Sequence, residues 1–111
     1  MTLAQLGRIF KGFQTQTGIK TAYYQFSEGS LPQGAPYLVY FIPNHDDFIA
    51  DNSNHVKVAV LRVELYTNFK DFTTEGLVEA ILPGPYSKET TYIDSERIYE
   101  TIYETEVIIN G

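Results

Sequence analysis

Two histidines and three aspartates fall close together at His45, Asp46, Asp47, Asp51 and His55, and these are residue types that hold divalent ions. Their spacing matches no zinc motif. Asp46 and Asp47 are adjacent, so in an extended segment they point to opposite sides. The group reads as solvated turn residues. Glu64, Glu100, Glu104 and Glu106 sit on predicted strands, where paired carboxylates can do acid–base work, but no histidine or second carboxylate stands at a predictable distance. The chain has no cysteine, which removes disulfides, thiolate metal sites and a Cys–His nucleophile. There is no Gly-x-Ser-x-Gly elbow and no glycine-rich loop leading into a helix. Gly29, Gly34 and Gly84 lie in proline-containing loops, where turn formation explains them. The residues point to no enzyme, no cofactor and no metal.

Bulk properties bound the rest. A chain of 111 residues is expected to form one domain, 1–111, with a core that needs no staple. Hydrophobic residues make up 43% and charged residues 20%, which suits an ordinary globular fold. No apolar stretch reaches the ~20 residues of a membrane span. The N-terminal residues are periodic rather than a basic run followed by an apolar block, so they read as fold and not as a signal peptide, with synthesis inside the cell as the expectation. The net charge is −6, and nucleic-acid binding, which rests on clustered Lys and Arg, is not expected. The charge is uneven. Arg8, Lys11 and Lys20 precede the first acid, Glu28, whereas nine acids follow from Asp71 onward against only Lys88 and Arg97. Solvated surface charge accounts for this; so would a basic end of one subunit meeting an acidic end of the next.

Hydrophobic periodicity places the elements. Residues 2–16 read as a helix, with Thr2 and Gln5 as a capping box, an apolar stripe at Leu3, Leu6, Ile9 or Phe10, and Phe13, and Gly18 as its stop. The stripe serves either the core or a partner. Residues 19–26 read as a strand, 27–36 as a loop and 37–42 as a strand apolar throughout. Residues 44–54 are polar and turn-rich around Phe48-Ile49-Ala50. In 55–66 the alternation shifts phase: Val56, Val58 and Val60 share one face, then Leu61, Val63 and Leu65 the other. That shift predicts a bulge or a change of neighbour midway. A short helix over 71–82 has Asp71 as N-cap, Glu75 near its positive end and Leu77, Val78 and Ile81 as its buried face; Pro83-Gly84-Pro85 stops it. Residues 86–93 and 97–109 form a hairpin around Asp94-Ser95-Glu96.

The last run repeats Ile-Tyr-Glu-Thr twice, which stacks Tyr99 over Tyr103 on a helix but sets Tyr99, Thr101, Tyr103, Thr105, Val107 and Ile109 on one face of a strand. Its Ile, Tyr, Thr and Val content selects the strand. Such a strand must be paired, covered or shared with a neighbour. Tyr99 and Tyr103 serve packing or subunit contact, since tyrosine suits both. The fold class is α/β (α+β): a mostly antiparallel sheet with an N-terminal helix and a second short helix packed on it.

The N-terminal helix, the Tyr-Leu-Val-Tyr strand from Tyr37, the loop Phe48-Ile49-Ala50-Asp51-Asn52, the run Val63-Glu64-Leu65-Tyr66-Thr67 with Lys70-Asp71, the short helix and the Tyr-Glu-Thr-rich final strand come in an order that resembles tail-completion (tail terminator) proteins of long-tailed bacteriophages. The similarity is greatest to those of phages and prophages of Gram-positive bacteria and covers about residues 3–109. It implies a non-enzymatic structural protein that forms a ring, usually of six subunits, caps the tail tube, ends its polymerisation and joins it to the head–tail connector protein. The implied partners are further copies of the chain, the tail tube protein and the connector. The implied locations are the host cytoplasm during assembly and the head–tail junction of the virion. The contacts are expected at Phe48, Ile49 and Asp51 of the loop and at Tyr99, Tyr103 and Glu104 of the final strand. A head-closure or other head–tail joining protein is the alternative within the same assembly, and a small acidic ligand-binding or inhibitor domain is the alternative outside it.

Overall fold

A computed structural model of the chain describes residues 1–27, 32, 34–43 and 56–110, with the backbone alone for residues 56 and 57. Helix α1 spans Leu3–Thr17, followed by strands β1 (Lys20–Tyr23), β2 (Tyr37–Phe41) and β3 (Val56–Thr67), helix α2 (Phe72–Glu79), and strands β4 (Tyr86–Ile93) and β5 (Ile98–Asn110). The strands form one five-stranded sheet in the order β1-β2-β3-β5-β4. β1 runs parallel to β2, and every other pairing is antiparallel. The fold is the sheet-dominated α+β arrangement expected from the sequence.

Local chemistry sets the helix ends. Thr2 Oγ1 accepts from Gln5 N at 3.1 Å while Gln5 Oε1 accepts from Thr2 N at 2.8 Å, so two N–H groups that a helix start leaves unpaired are satisfied reciprocally. Gly18 ends α1 at φ 77°, a left-handed conformation that costs glycine nothing. Asp71 caps α2 through Thr74 N at 3.0 Å. Tyr24, also left-handed at φ 68°, ends β1 before the predicted limit at residue 26. Its amide bonds Tyr40 O at 2.9 Å, its hydroxyl donates to Ile42 O at 3.1 Å, and its ring stacks on Phe41.

Both helices lie on one face of the sheet. Leu6, Phe10 and Phe13 of α1 and Val78 of α2 enter a single apolar cluster with Leu38, Leu61, Val63, Leu65 and Tyr103. Phe10 lies flat on Tyr40, with ring centroids 3.9 Å apart. The predicted buried face of the second helix is corrected at one position: Val78 is buried and Ile81 packs against the core, but Leu77 is 44% exposed. No described helix covers the opposite face of the sheet.

Of the two outcomes expected from the phase shift in β3, the bulge is absent and the change of neighbour is present. The pairing of β3 with β5 runs from Val56↔Asn110 to Thr67↔Tyr99 in constant register, with no bulge. Leu61, Val63, Leu65 and Thr67 face the helices, and Val58 and Val60 point away, 67% and 37% exposed. The sequence pattern misled because the outward valines imitate a buried stripe. The neighbour on the other edge does change: β2 pairs only with residues 62–66. β3 and β5 therefore run on beyond the rest of the sheet as a two-stranded ribbon. The final strand is not an edge. It is paired with β3 on one side and with β4 on the other, and past β4 its backbone meets Met1, through Met1 N to Ile108 O at 2.9 Å and Asn110 N to Met1 O at 2.8 Å.

The continuous register makes a direct prediction for neighbouring positions. Leu61→Ala should cost about 2–5 kcal/mol in chemical denaturation, the range for deleting a buried leucine. Val58→Thr should stay within about 0.5 kcal/mol, as a surface change does. A bulge near residue 60 would even out or reverse that contrast.

Candidate functional site

The densest polar constellation lies between α2 and the β4–β5 hairpin. The first turn of α2 carries Glu75 inward, where its side chain is 1% exposed. Lys70, just before the helix, reaches Glu75 Oε2 at 2.7 Å and Thr90 Oγ1 at 3.1 Å. Lys88 rises from the helix-facing side of β4 and places its ammonium 2.7 Å from Glu75 Oε1 and 2.7 Å from Glu79 Oε2. Its contact with Glu75 is ionic, without the alignment of a hydrogen bond, whereas its contact with Glu79 is a hydrogen bond. Tyr103 of β5 donates to Glu79 Oε2 at 2.8 Å. Two lysines and two glutamates thus alternate in a chain that ends on a buried phenol.

The electrostatics describe a clamp. Burial alone would raise the Glu75 carboxyl, but the hydrogen bond from Lys70 and the close positive charge of Lys88 outweigh it and hold it below its ordinary value. Lys88 lowers Glu79 in the same way, aided by Tyr103. Lys88 is raised by Glu75 and then Glu79. Burial, then the bond to Glu79, raises the Tyr103 hydroxyl. Every charge is matched in its working state, and no group is poised to exchange a proton near neutrality. The arrangement fastens α2 to the sheet.

A second cluster lies on the opposite, uncovered face. Tyr66 OH approaches Glu100 Oε2 at 2.7 Å and Glu64 Oε1 at 3.0 Å, and Arg62 Nε donates to Glu64 Oε2 at 2.9 Å. Burial and the bond to Glu100 raise the Tyr66 hydroxyl, so its single proton stays between the two carboxylates. Tyr66 also stacks on Tyr37, with centroids 4.8 Å apart.

Of the residues expected to make contacts, the three described ones, Tyr99, Tyr103 and Glu104, do not share one surface. Phe48, Ile49 and Asp51 lie outside the described residues, as do His45, Asp46, Asp47 and His55. Tyr103 is fully buried and belongs to the subunit's own core. Tyr99 is half-buried beside Tyr92 on the helix-facing side, with centroids 4.8 Å apart. Glu104 projects from the other face and is exposed. Among the described residues, no group of three His, Asp or Glu side chains is placed to hold a metal ion, and no helix is long and apolar enough to cross a membrane.

Sequence reasoning missed the Lys70–Glu75–Lys88–Glu79 chain because its members come from a loop, a helix and a strand. The one available signal was Lys88 among the alternate, helix-facing positions of β4. It also missed an apolar patch on the outer side of the ribbon, where Val58, Val60 and Ile108 are exposed and Val58 pairs directly with Ile108. Set against known protein families, characterised proteins and solved structures, the chain gives no match.

The clamp sets the pH response. Asp71, Glu75 and Glu79 all titrate below their ordinary values in the folded state. Their contribution is complete above the unfolded carboxylate range of about pH 3.9–4.3 and is lost as pH falls through the lower folded values. Urea unfolding followed from pH 7 to pH 2 should show this acid limb. Glu75→Gln should cost about 3–5 kcal/mol at pH 7, as removal of one partner from a buried ion pair does, and should make the limb shallower. A limb of unchanged steepness would show that Glu75 is not part of it.

Proposed function

We propose that the chain is a tail-completion (tail terminator) subunit of a long-tailed phage or prophage, a structural protein with no catalytic role. The observation that carries this reading is the uncovered side of the sheet. A small subunit whose helices shield one face leaves exposed on the other, along the projecting ribbon, the aliphatic side chains Val58, Val60 and Ile108. Contiguous exposed apolar surface on a small domain marks a contact site. The order of sequence pieces along the chain supplies the class of assembly, and the α+β fold is the one that order implies.

The mechanism is geometric. Copies of the chain make closed heterologous contacts into a ring, of six subunits as the family resemblance implies, whose one face seats on the last ring of the tail tube and whose other face presents a different surface to the head–tail connector. A tube ending in this ring has no surface for the next tube subunit, so polymerisation stops. The acidic balance of the chain, a net charge of −6, suits a ring that lets DNA pass without binding it. The subunit works in the host cytoplasm during assembly and stays at the head–tail junction.

Electron microscopy of particles made without this protein tests the reading. Tubes of uncontrolled length, detached from heads, are the expected result, with purified protein added back stopping tube growth. Normal tails attached to heads would sink it, and tails of normal length that fail to join heads would point instead to head closure.

A further inference from the structure

Two exposed lysines and two exposed glutamates without ion-pair partners among the described residues lie on opposite parts of the subunit, each beside apolar side chains. Lys11 and Lys20 are exposed and have no ion-pair partner among the described residues. Lys11 stands on the wall of a hollow of about 330 Å³ between α1 and β1, whose floor includes Phe10, Tyr23 and Tyr40. A neighbouring hollow of about 380 Å³ shares Gln14 and Thr21 with the first and carries Lys20 and Phe26. The two hollows adjoin at the Gln14–Thr21 hydrogen bond, each with aromatic lining and one lysine on its wall, and together form the α1–β1 groove.

The outer side of the ribbon is its counterpart. Ile108 lies opposite Val58, and Glu106 opposite Val60, with Glu104 one step further along the same face. Glu104 and Glu106 are exposed and have no ion-pair partner among the described residues. Apolar side chains with two carboxylates at one end, the outer one opposite Arg62 of β3, match an aromatic lining with two ammoniums in both hydropathy and charge.

We propose that the β3–β5 ribbon of one copy docks in the α1–β1 groove of the next, with Glu104 and Glu106 facing Lys11 and Lys20. The inference deepens the assembly reading and rests on it in taking a second copy as the occupant. Every copy carries both halves, so the contact is heterologous and repeats head to tail until it closes. With a net charge of −6, copies repel one another at long range, and the local basic groove selects the orientation in which they meet. Strand addition at β1 is not the mode of contact. Gln14 Oε1 occupies the Thr21 N–H at 2.8 Å, and Gln25 N–H occupies the Tyr23 carbonyl at 2.8 Å, so the β1 edge is closed by its own chain.

Sedimentation velocity of the purified chain at low salt, taken up to millimolar concentration, tests this without any tail component, so its outcome is separate from that of the tail-length experiment. Self-association that weakens as salt is raised is expected. The pair Lys11→Glu with Lys20→Glu, and separately Glu104→Lys with Glu106→Lys, should each weaken it roughly tenfold or more. Mixing the two double variants in equal amounts should restore it, because each then offers the charge the other lacks. All four positions are exposed, and thermal melts matching the parent confirm that the variants fold. A chain monomeric at every concentration, association indifferent to both double variants, or a mixture that stays dissociated would each overturn the proposal.

Discussion

All 12 residues of β3 pair with β5 in one unbroken register, so each side chain on either strand is committed to one face. A slip of one residue would turn one strand's set out to solvent, either Leu61, Val63 and Leu65 of β3 or Tyr103, Val107 and Ile109 of β5. The register is held because the two sets are the centre of the core, where α1 and α2 lay their buried residues. β2 and β4 attach to the two outer edges of this pair, and Met1 closes part of what β4 leaves. The ladder therefore positions both faces of the molecule at once: an apolar face under two helices and an outer face of alternating acids, tyrosine and aliphatic residues.

The clamp under α2 solves a problem that the ladder alone does not. α2 is short, and a helix of 8 residues has little stability of its own. Among its buried residues only Val78 is apolar, the others being Thr74 and Glu75. Ion pairs to Lys70 and Lys88 fix the helix from both sides, and the bond from Tyr103 to Glu79 ties it to β5. A buried ion pair adds little net stability but penalises any arrangement that leaves one charge alone. Its contribution here is to the placement of α2 on the hairpin. From Asp71 onward the basic residues are Lys88 and Arg97; Lys88 is held inside this clamp, and Glu104 and Glu106 stay exposed on the other face.

The sequence showed the parts of the fold that depend on neighbouring residues. The Thr2–Gln5 box, Gly18, Asp71 and the turn after Ile93 are local signals, and each forms as its chemistry dictates. The fold class followed from them and from the alternation of the last strand. What escaped was non-local. Lys70, Glu75, Lys88 and Glu79 meet only after the helix docks, and Tyr103 could be assigned to core or contact only once its neighbours were in place. The loop expected to bear Phe48, Ile49 and Asp51 lies outside the described residues and adds nothing in either direction.

The misread strand is the most instructive case. Periodicity arguments equate apolar with buried, and along β3 that equation fails only at the outward valines of the ribbon. Local rules tend to fail where a protein serves something other than its own fold. Val58 and Ile108 contribute little to folding from their exposed positions, 67% and 56% open to solvent. Threonine would satisfy the strand as well. Their presence beside Glu104 and Glu106, away from a basic aromatic groove on the same chain, has a physical rationale if the apolar face of the ribbon is finished by another molecule. The phase shift in the sequence thus records the change from the covered face of the sheet to an exposed apolar one.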